Sequence, residues 1–554
     1  MKFRYSTPVC ALLIAFAAGL LFLPALHNGF VWDDHVFVQA NSVIKRLHPL
    51  NRFFVNQGVI KQRPGLLFSL ALDHRLWGQN PFGYHLTNLL LHMLACLGVF
   101  WLGLVVLRSI RGAFVAALFF SVHPVHAEAV AALLGRSDLL AAVACLGGFL
   151  FYIRARRSSN GPVLLYYLLA LFFYGAACLC KETGIVLLGW IFLYELFIFE
   201  RRLLSLPQRV LWLLPFVLVL IGYFFFLRSI MGRSLGCQGW WGGNFLDDLL
   251  MSAQVYWEYF RLLFFPLRLS PWYIIPTPHN LLNPPALLGT CVFLFTLLAF
   301  FLAWLRRSPF GFLLGLYLIC YLPLSNLVPI PGSMMAERWL YSGSIAFCLS
   351  LGLIGEKWIS KLRSRFAISF VVVLLLLLGI RTITWIGVWQ TDFSLFGTML
   401  RDHPRFSGVH IWLGDAYFRQ DSLLQAERHY RIALALDPDV PLVHVGLAKV
   451  YDRQGRFQQE VQENQLALRL GGEHPSPRLG LGIAYMHLGR YTEALVEYEK
   501  AISLGAEKSN ALLGIGDSYL QLGDTLRAKQ AYLRALSEDP ELLGAKQSLP
   551  QLTR

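Results

Sequence analysis

Charge is what this sequence has least of. Asp, Glu, Lys and Arg make up 15% of the 554 residues, and hydrophobic types make up 56%. Soluble globular domains carry about a quarter charged residues. The balance excludes a disordered chain and argues against a purely soluble fold. Acids are scarcest over Met1–Trp389, where 13 Asp and Glu stand against 30 Lys and Arg; Gln390–Arg554 has 20 against 18. The formal net charge of +15 therefore belongs to the apolar part. It sits between hydrophobic runs, as the loop charges of a membrane protein do, and forms no basic patch for nucleic acid. Cysteine is also sparse. There are nine, none lies after Trp389, and no C-x-x-C occurs. Eight lie in or beside apolar runs, and only Cys237 falls in an outer loop. We read no disulfide framework and no cysteine metal site.

What is there instead is a succession of apolar runs of membrane-crossing length, about 17–25 residues each. They lie near Val9–Leu26, Leu86–Leu107, Ala113–Val125, Leu139–Ile153, Leu164–Cys180, Ile185–Phe199, Val210–Leu227, Leu287–Trp304, Phe310–Val328, Leu340–Ile354 and Ala367–Trp385. The pattern predicts an all-α chain: a polytopic helical membrane domain of about eleven spans over 1–389, then a soluble domain over 390–554. Ala113–Val125 needs residues beyond Pro124 to cross. The first segment could pass for a signal peptide; we expect it to be retained, because cleavage would leave the next motif at the new N-terminus.

With eleven spans, the Lys/Arg clusters all fall on one side: Lys2/Arg4, Arg108/Arg111, Arg154–Arg157, Arg201–Arg209, Arg306/Arg307 and Lys357–Arg365. That side is the cytoplasm, which puts the soluble domain outside it. Ten of the 13 acids then lie on the outer face or at outer span ends. Asp73 and Asp247/Asp248 fit an ordinary wet loop. Glu128, Glu182 and Glu337 each stand beside a cation at a span end, where an acid is costly unless paired. Trp240-Trp241 reads as an interfacial anchor, and Leu246–Leu263 as an amphipathic interfacial helix.

The soluble part repeats with a period of 34, in units near 407–440, 441–474, 475–508 and 509–542. Gly414, Ala448, Gly482 and Gly516 correspond, as do Tyr430, Asn464, Tyr498 and Tyr532. Ala426, Ala494 and Ala528 match, with Glu460 the exception, and Ala433, Ala467, Ala501 and Ala535 match throughout. Gly455, Gly489 and Gly523 mark the turns. This is the tetratricopeptide pattern, a helical solenoid with a concave groove for peptides or proteins. The plainer alternatives are a rigid spacer or an oligomerisation surface. Leu542–Arg554 is expected to add a partial capping helix.

Four polar motifs interrupt the apolar runs on the outer face. They are Trp32-Asp33-Asp34-His35, His123-Pro124-Val125-His126-Ala127-Glu128 with Gly135-Arg136-Ser137-Asp138, Lys181-Glu182-Thr183, and Ala336-Glu337-Arg338-Trp339. A long outer loop carries Arg63-Pro64 and Asn80–His85. In this order, followed by the repeats, the chain resembles the transmembrane and tetratricopeptide repeat-containing O-mannosyltransferases and their shorter bacterial relatives, which are similar to the GT-C glycosyltransferases. It departs from the animal members in having four repeats, and it reads RPG where RPL is common.

The resemblance implies an inverting membrane glycosyltransferase. It would take a hexose, mannose by kinship, from a polyprenyl-phosphate sugar and pass it to a protein or peptide hydroxyl on the non-cytoplasmic face. Asp33 matches the first acid of the family motif and is expected to be the general base; Asp34 would orient it. Arg338 is the first candidate for the donor phosphate, with Arg136, Lys181 and Arg63 next. Glu337, Glu182, His123, His126 and Glu128 complete the donor-binding set. Asp33, Asp34, His126 and Glu128 are the residues that would hold a divalent metal if one is used; no cofactor is otherwise expected. The plainer readings are a helix N-cap for Asp33-Asp34 and ion pairs between sequence neighbours for Glu337–Arg338 and Lys181–Glu182. The repeats would recruit the acceptor. The short array and the lack of an ER-retrieval signal point to a bacterial inner membrane with the site in the periplasm, or the ER lumen in a eukaryote. The rival reading is a non-catalytic membrane scaffold that gathers an envelope complex through its repeats.

Overall fold

The computed structural model describes residues 6–45, 47–54, 63–158, 161–197, 206–231, 243–327, 333–362, 365–540 and 542–549. Cys237 and Trp240-Trp241 lie outside them, as do Lys2, Arg4, Arg201, Arg202 and Arg363. The described residues form helices and turns, with no strand among them. The chain divides into two compact units, Met1–Leu395 and Phe396–Arg554.

The first unit contains α1 (Ser6–Phe22), α2 (Pro64–Trp77), α3 (Pro81–Val106), α4 (Ile110–Val122), α5 (Ala127–Ala131), α6 (Arg136–Arg157), α7 (Val163–Cys180), α8 (Val186–Phe197), α9 (Leu206–Met231), α10 (Phe245–Phe264), α11 (Pro284–Leu305), α12 (Pro309–Tyr321), α13 (Leu340–Leu362) and α14 (Arg365–Ile386). Several starts are written in the sequence. The side chains of Asn80, Asn283 and Ser308 accept from the first helical N–H groups, each followed by a proline whose missing N–H costs nothing there.

Each of the eleven expected runs contains helix among its described residues, but fewer than eleven are full spans. Among the described residues, eight helices are long and apolar enough to cross a membrane. The third run is a bent pair, Ile110–Val122 and Pro124–Ala131, turned by 55°. Pro124 cannot continue the hydrogen-bond ladder of α4, so the chain breaks there. The sixth and ninth runs are the short helices α8 and α12. The chain is a multi-pass membrane protein.

α3, α4, α6 and α13 form the packed centre, while α1, α9, α11 and α14 turn most of their apolar surface outward. Close packing at the centre relies on small residues, as expected where lipid is as apolar as leucine. A Cβ on Gly352 of α13 would lie 2.3 Å from the Gly112 carbonyl of α4, and one on Gly103 of α3 would lie 2.9 Å from Ala113 Cβ. α10 buries one face (Met251, Val255, Tyr259, Leu262) and exposes Phe245, Leu246 and Leu249.

The second unit pairs α16 (Ser407–Arg419) with α17 (Leu423–Leu436), α18 (Pro441–Arg453) with α19 (Phe457–Gly471), α20 (Pro475–His487) with α21 (Tyr491–Ser503), and α22 (Lys508–Gln521) with α23 (Thr525–Glu538). It is preceded by α15 (Asp392–Asp402), which begins in the first unit, and closed by the short helix α24 (Leu543–Ser548). Gly455, Gly489 and Gly523 turn each first helix into its second at φ of 71°, 75° and 82°. Asp421 takes the same left-handed place in the first repeat at φ 57°, a conformation acidic and amide side chains tolerate better than most.

Gly352→Leu should overpack the α4–α13 crossing. We expect a loss of about 1–3 kcal/mol or more, read as a lower melting temperature in detergent, with Gly222→Leu, exposed on α9 with open space around it, serving as the milder control.

Candidate active site

The turn after α1 is held from a distance. Trp32 adopts a left-handed backbone, φ 51°, which a bulky residue keeps only when its surroundings demand it. Asp392, at the start of α15, supplies that demand. Its Oδ1 accepts the Trp32 N–H at 2.8 Å, and its Oδ2 lies 2.9 Å from His35 Nε2. The sequence reading missed Asp392 and assigned it to the soluble part. The available signal was an acid directly after the last span, on the same side as Asp33.

Within the turn the two acids separate. Asp34 is buried, and its Oδ2 accepts the Val31 N–H at 3.1 Å. Burial, opposed by that bond and by His35 and reinforced by Asp33 and Asp392, pushes its carboxyl up to about 8. Asp34 therefore carries a proton at neutral pH and closes the turn. It makes no helix-capping side-chain bond, so the N-cap alternative is not what is found. Asp33 is half-buried. Burial raises its carboxyl above the ordinary range, and the Arg338 guanidinium acts against that rise.

Arg338 is gripped by Glu128. The buried carboxylate accepts the Arg338 backbone N–H at 2.9 Å and pairs with its Nη1. Nε and Nη2 have no partner among the described residues, and the side chain is 28% exposed, so part of the guanidinium fork is free for a ligand. Two further cations share its field. Lys181 Nζ lies 2.5 Å from Asp138 Oδ1, and Arg63 forms a two-point pair with Glu182 at 2.5 and 3.0 Å. Burial lowers the Lys181 ammonium, with Asp138 opposing, while Arg63 and Arg338 lower it further. Burial works against ionisation of Glu182, but Arg63 and then Lys181 outweigh it and hold the carboxyl down at about 2. Arg63, Lys181 and Arg338 thus share one field, and Asp33 lies within the field of Arg338.

The neighbour pairs of the plainer reading are not formed. Lys181 and Glu182 turn to Asp138 and Arg63. Glu337 leaves Arg338 to Glu128 and accepts from Ser270 N, Tyr273 Oη and Trp385 Nε1, each at 2.8 Å. With both oxygens committed, Glu337 anchors the Ser270 loop to α14 and is not offered to a donor. Arg136 is fully buried: its Nη1 lies 2.6 Å from Asp73 Oδ2, Nε donates to Asn88 and Nη2 to the Tyr84 carbonyl. It is a clamp between α2, α3 and α6 and has no face left for phosphate. Asp73, read as a wet loop residue, is its buried partner, and Asp248 is buried too.

His123 and His126 are likewise interior. His123 Nε2 meets the Leu263 carbonyl at 3.0 Å. His126 Nδ1 meets the Phe120 carbonyl at 2.7 Å, and its ring packs on Tyr341. Both rings brace the break after α4. Among the described residues, no three of His, Cys, Asp and Glu converge to hold a metal.

The glycines of the motifs are steric requirements. A Cβ on Gly135 would lie 2.4 Å from the Ala129 carbonyl, and one on Gly184 would lie 2.4 Å from Ala177 backbone. In RPG, a Cβ on Gly65 would lie 2.6 Å from Cys180 Sγ, so the cysteine occupies the room a leucine would need.

Arg136→Gln should leave Asp73 buried without its cation, at a cost of roughly 3–5 kcal/mol. We expect a loss of folded protein, measured by thermal unfolding. Asp392→Ala should instead raise hydrogen exchange across Val31–Phe37 and leave the melting temperature within a few degrees.

The tetratricopeptide repeat family matches residues 411–475 and 479–542. "Protein O-mannosyl-transferase F38B6.6" of Caenorhabditis elegans is 28% identical over 458 residues, covering 77% of this chain and 63% of that protein. Human "Protein O-mannosyl-transferase TMTC1" is 28% identical over 499 residues, covering 77% and 55%. The chain thus spans between about half and two thirds of the length of these relatives. Among solved structures, the tetratricopeptide protein TTC0263 of Thermus thermophilus aligns at 20% identity and a TM-score of 0.27, covering 29% of this chain and 89% of that one. Over about three quarters of its length, the chain resembles the transmembrane and tetratricopeptide repeat O-mannosyltransferases.

Proposed function

We propose that this chain is a membrane glycosyltransferase that moves a hexose, mannose by the names of its relatives, from a polyprenyl-phosphate sugar to a protein hydroxyl on the non-cytoplasmic face. The carrying observation is a half-buried carboxylate, Asp33, in the field of a guanidinium with free donors, Arg338, with two further cations near it, Lys181 at a span end and Arg63 just before α2. A polyprenyl donor keeps its tail in lipid and its phosphate at the interface, so its recognition needs cations at that depth.

In this reading Arg338 and Arg63 face the phosphate, and Lys181, deeply buried, adds field strength. The acceptor oxygen attacks the anomeric carbon. The carbon–oxygen bond to phosphate breaks, the phosphate leaves with the electron pair stabilised by the cations, and the hydroxyl proton passes to Asp33. An elevated carboxyl is the stronger base for that proton. Asp34 and Asp392 act by holding the turn that presents Asp33, and Glu128 by aiming Arg338. The family's name for the activity, the outer-face location and the recruitment of acceptor by the repeats all belong to this proposal.

Asp33→Asn should reduce transfer from labelled polyprenyl-phosphate mannose by about 10²-fold or more without changing the melting temperature. Turnover should require the Asp33 carboxylate and fall as pH drops through its pKa. Arg338→Gln removes the charge that lowers that pKa, so the acid limb of kcat/KM should move to higher pH. An unmoved limb would take Asp33 out of the role of base.

A further inference from the structure

The second repeat departs from the others at three interior positions. Ala448 replaces the glycine of Gly414, Gly482 and Gly516; Glu460 replaces the alanine of Ala426, Ala494 and Ala528; Asn464 replaces the tyrosine of Tyr430, Tyr498 and Tyr532. In the other repeats ring and glycine are in contact: a Cβ on Gly414 would lie 2.6 Å from the Tyr430 ring, and one on Gly516 2.5 Å from that of Tyr532. Alanine at 448 and tyrosine at 464 therefore exclude each other.

Losing the ring opens a cavity of about 110 Å³ between α18 and α20, floored by α19 and lined by Ala448, Asp452, Glu460, Asn464, Gly480 and Ile483. Glu460 and Asn464 are each only 2% exposed. Glu460 Oε2 and Asn464 Nδ2 are buried without a hydrogen-bond partner among the described residues. Leaving such groups unmet costs stability that alanine and tyrosine would restore, and a cost of this kind is characteristic of a functional site.

We propose that this cavity is a side-chain subsite for a polypeptide bound along the first helices of the repeats, and that it takes a carboxamide, the side chain of Asn or Gln. The carboxamide oxygen accepts from Asn464 Nδ2, and its NH₂ donates to the Glu460 carboxyl, so both orphan atoms are met by one group. An apolar side chain would leave both unmet. Burial and then the neighbouring Asp452 push the Glu460 carboxyl up to about 8. Glu460 is accordingly neutral near pH 7 and pairs with an amide better than with an ammonium. The other charged group lining the cavity is Lys449, on its exposed rim. The proposal requires that the repeats bind polypeptide; it does not depend on the transfer chemistry.

The test uses the full chain in lipid nanodiscs and a synthetic random decapeptide library, with residue frequencies read by sequencing the captured peptides. Asn or Gln should be enriched at one register by about tenfold over Leu, the size of roughly one satisfied buried hydrogen bond. The triple variant Ala448→Gly/Glu460→Ala/Asn464→Tyr restores the packing of the other repeats. It should lose the enrichment while α19 gains protection from hydrogen exchange. Glu460→Ala alone should also lose it. Enrichment of Lys, no residue preference, no captured peptide, or the same preference in the triple variant would each overturn the proposal. Asp33→Asn serves as the control: it should bind the same peptides, so a failed transferase reading and a failed subsite are told apart.

Discussion

A charge at the end of a membrane span must find its opposite or keep its water, and the first unit is organised around that constraint. Arg338 is held by Glu128, Lys181 by Asp138, Arg63 by Glu182 and Arg136 by Asp73. The partners of the first three pairs stand 210, 43 and 119 residues apart in the chain, so each pair ties together elements that are remote in sequence. An unpaired charge here would be far costlier than the pair is stabilising, which makes these bridges selective for one arrangement of helix ends. The pairs differ in what they leave over. Arg136 spends every nitrogen inside the protein, while Arg338 and Arg63 keep part of their side chains accessible. That difference separates a structural clamp from groups that can meet a ligand.

Much of this organisation was legible along the chain because apolar length and repeat period are local properties. Each of the eleven apolar runs contains helix among its described residues, and the left-handed turns fall at Gly455, Gly489 and Gly523. The pairings were not legible. Sequence neighbours such as Lys181 and Glu182, or Glu337 and Arg338, point different ways once a helix end fixes the backbone between them. His123 and His126 read as site residues because they are polar among apolar neighbours, yet they satisfy backbone carbonyls: His126 that of Phe120, freed by the break at Pro124, and His123 that of Leu263 near the end of α10. The place of Asp392 after the last span was a signal, but its pairing was not: the hydrogen bond to Trp32 spans 360 residues, and no local pattern records it.

Small residues serve both units in the same way. In the membrane unit Gly112 and Gly352 let α4 and α13 touch, and Gly135 and Gly184 let two motif turns fold back on adjoining helices. In the repeats Gly414, Gly482 and Gly516 receive a tyrosine from the paired helix. Where the second repeat abandons that arrangement, it gains a buried acid and a buried amide in place of packing. A departure that weakens the core and concentrates polar atoms marks a place where binding, not stability, sets the residue.

The account turns on a phosphate held by Arg338 and Arg63 beside Asp33, and binding of the leaving group tests it without turnover. The measurement is the affinity of polyprenyl monophosphate for the chain in nanodiscs, against neutral polyprenol. The wild type should bind the phosphate saturably. Arg338→Gln should weaken binding by about tenfold or more, and Asp33→Asn should bind as tightly or more tightly, because a carboxylate facing the phosphate has been removed. Equal binding of polyprenol and its phosphate, or an affinity indifferent to Arg338, would contradict the account.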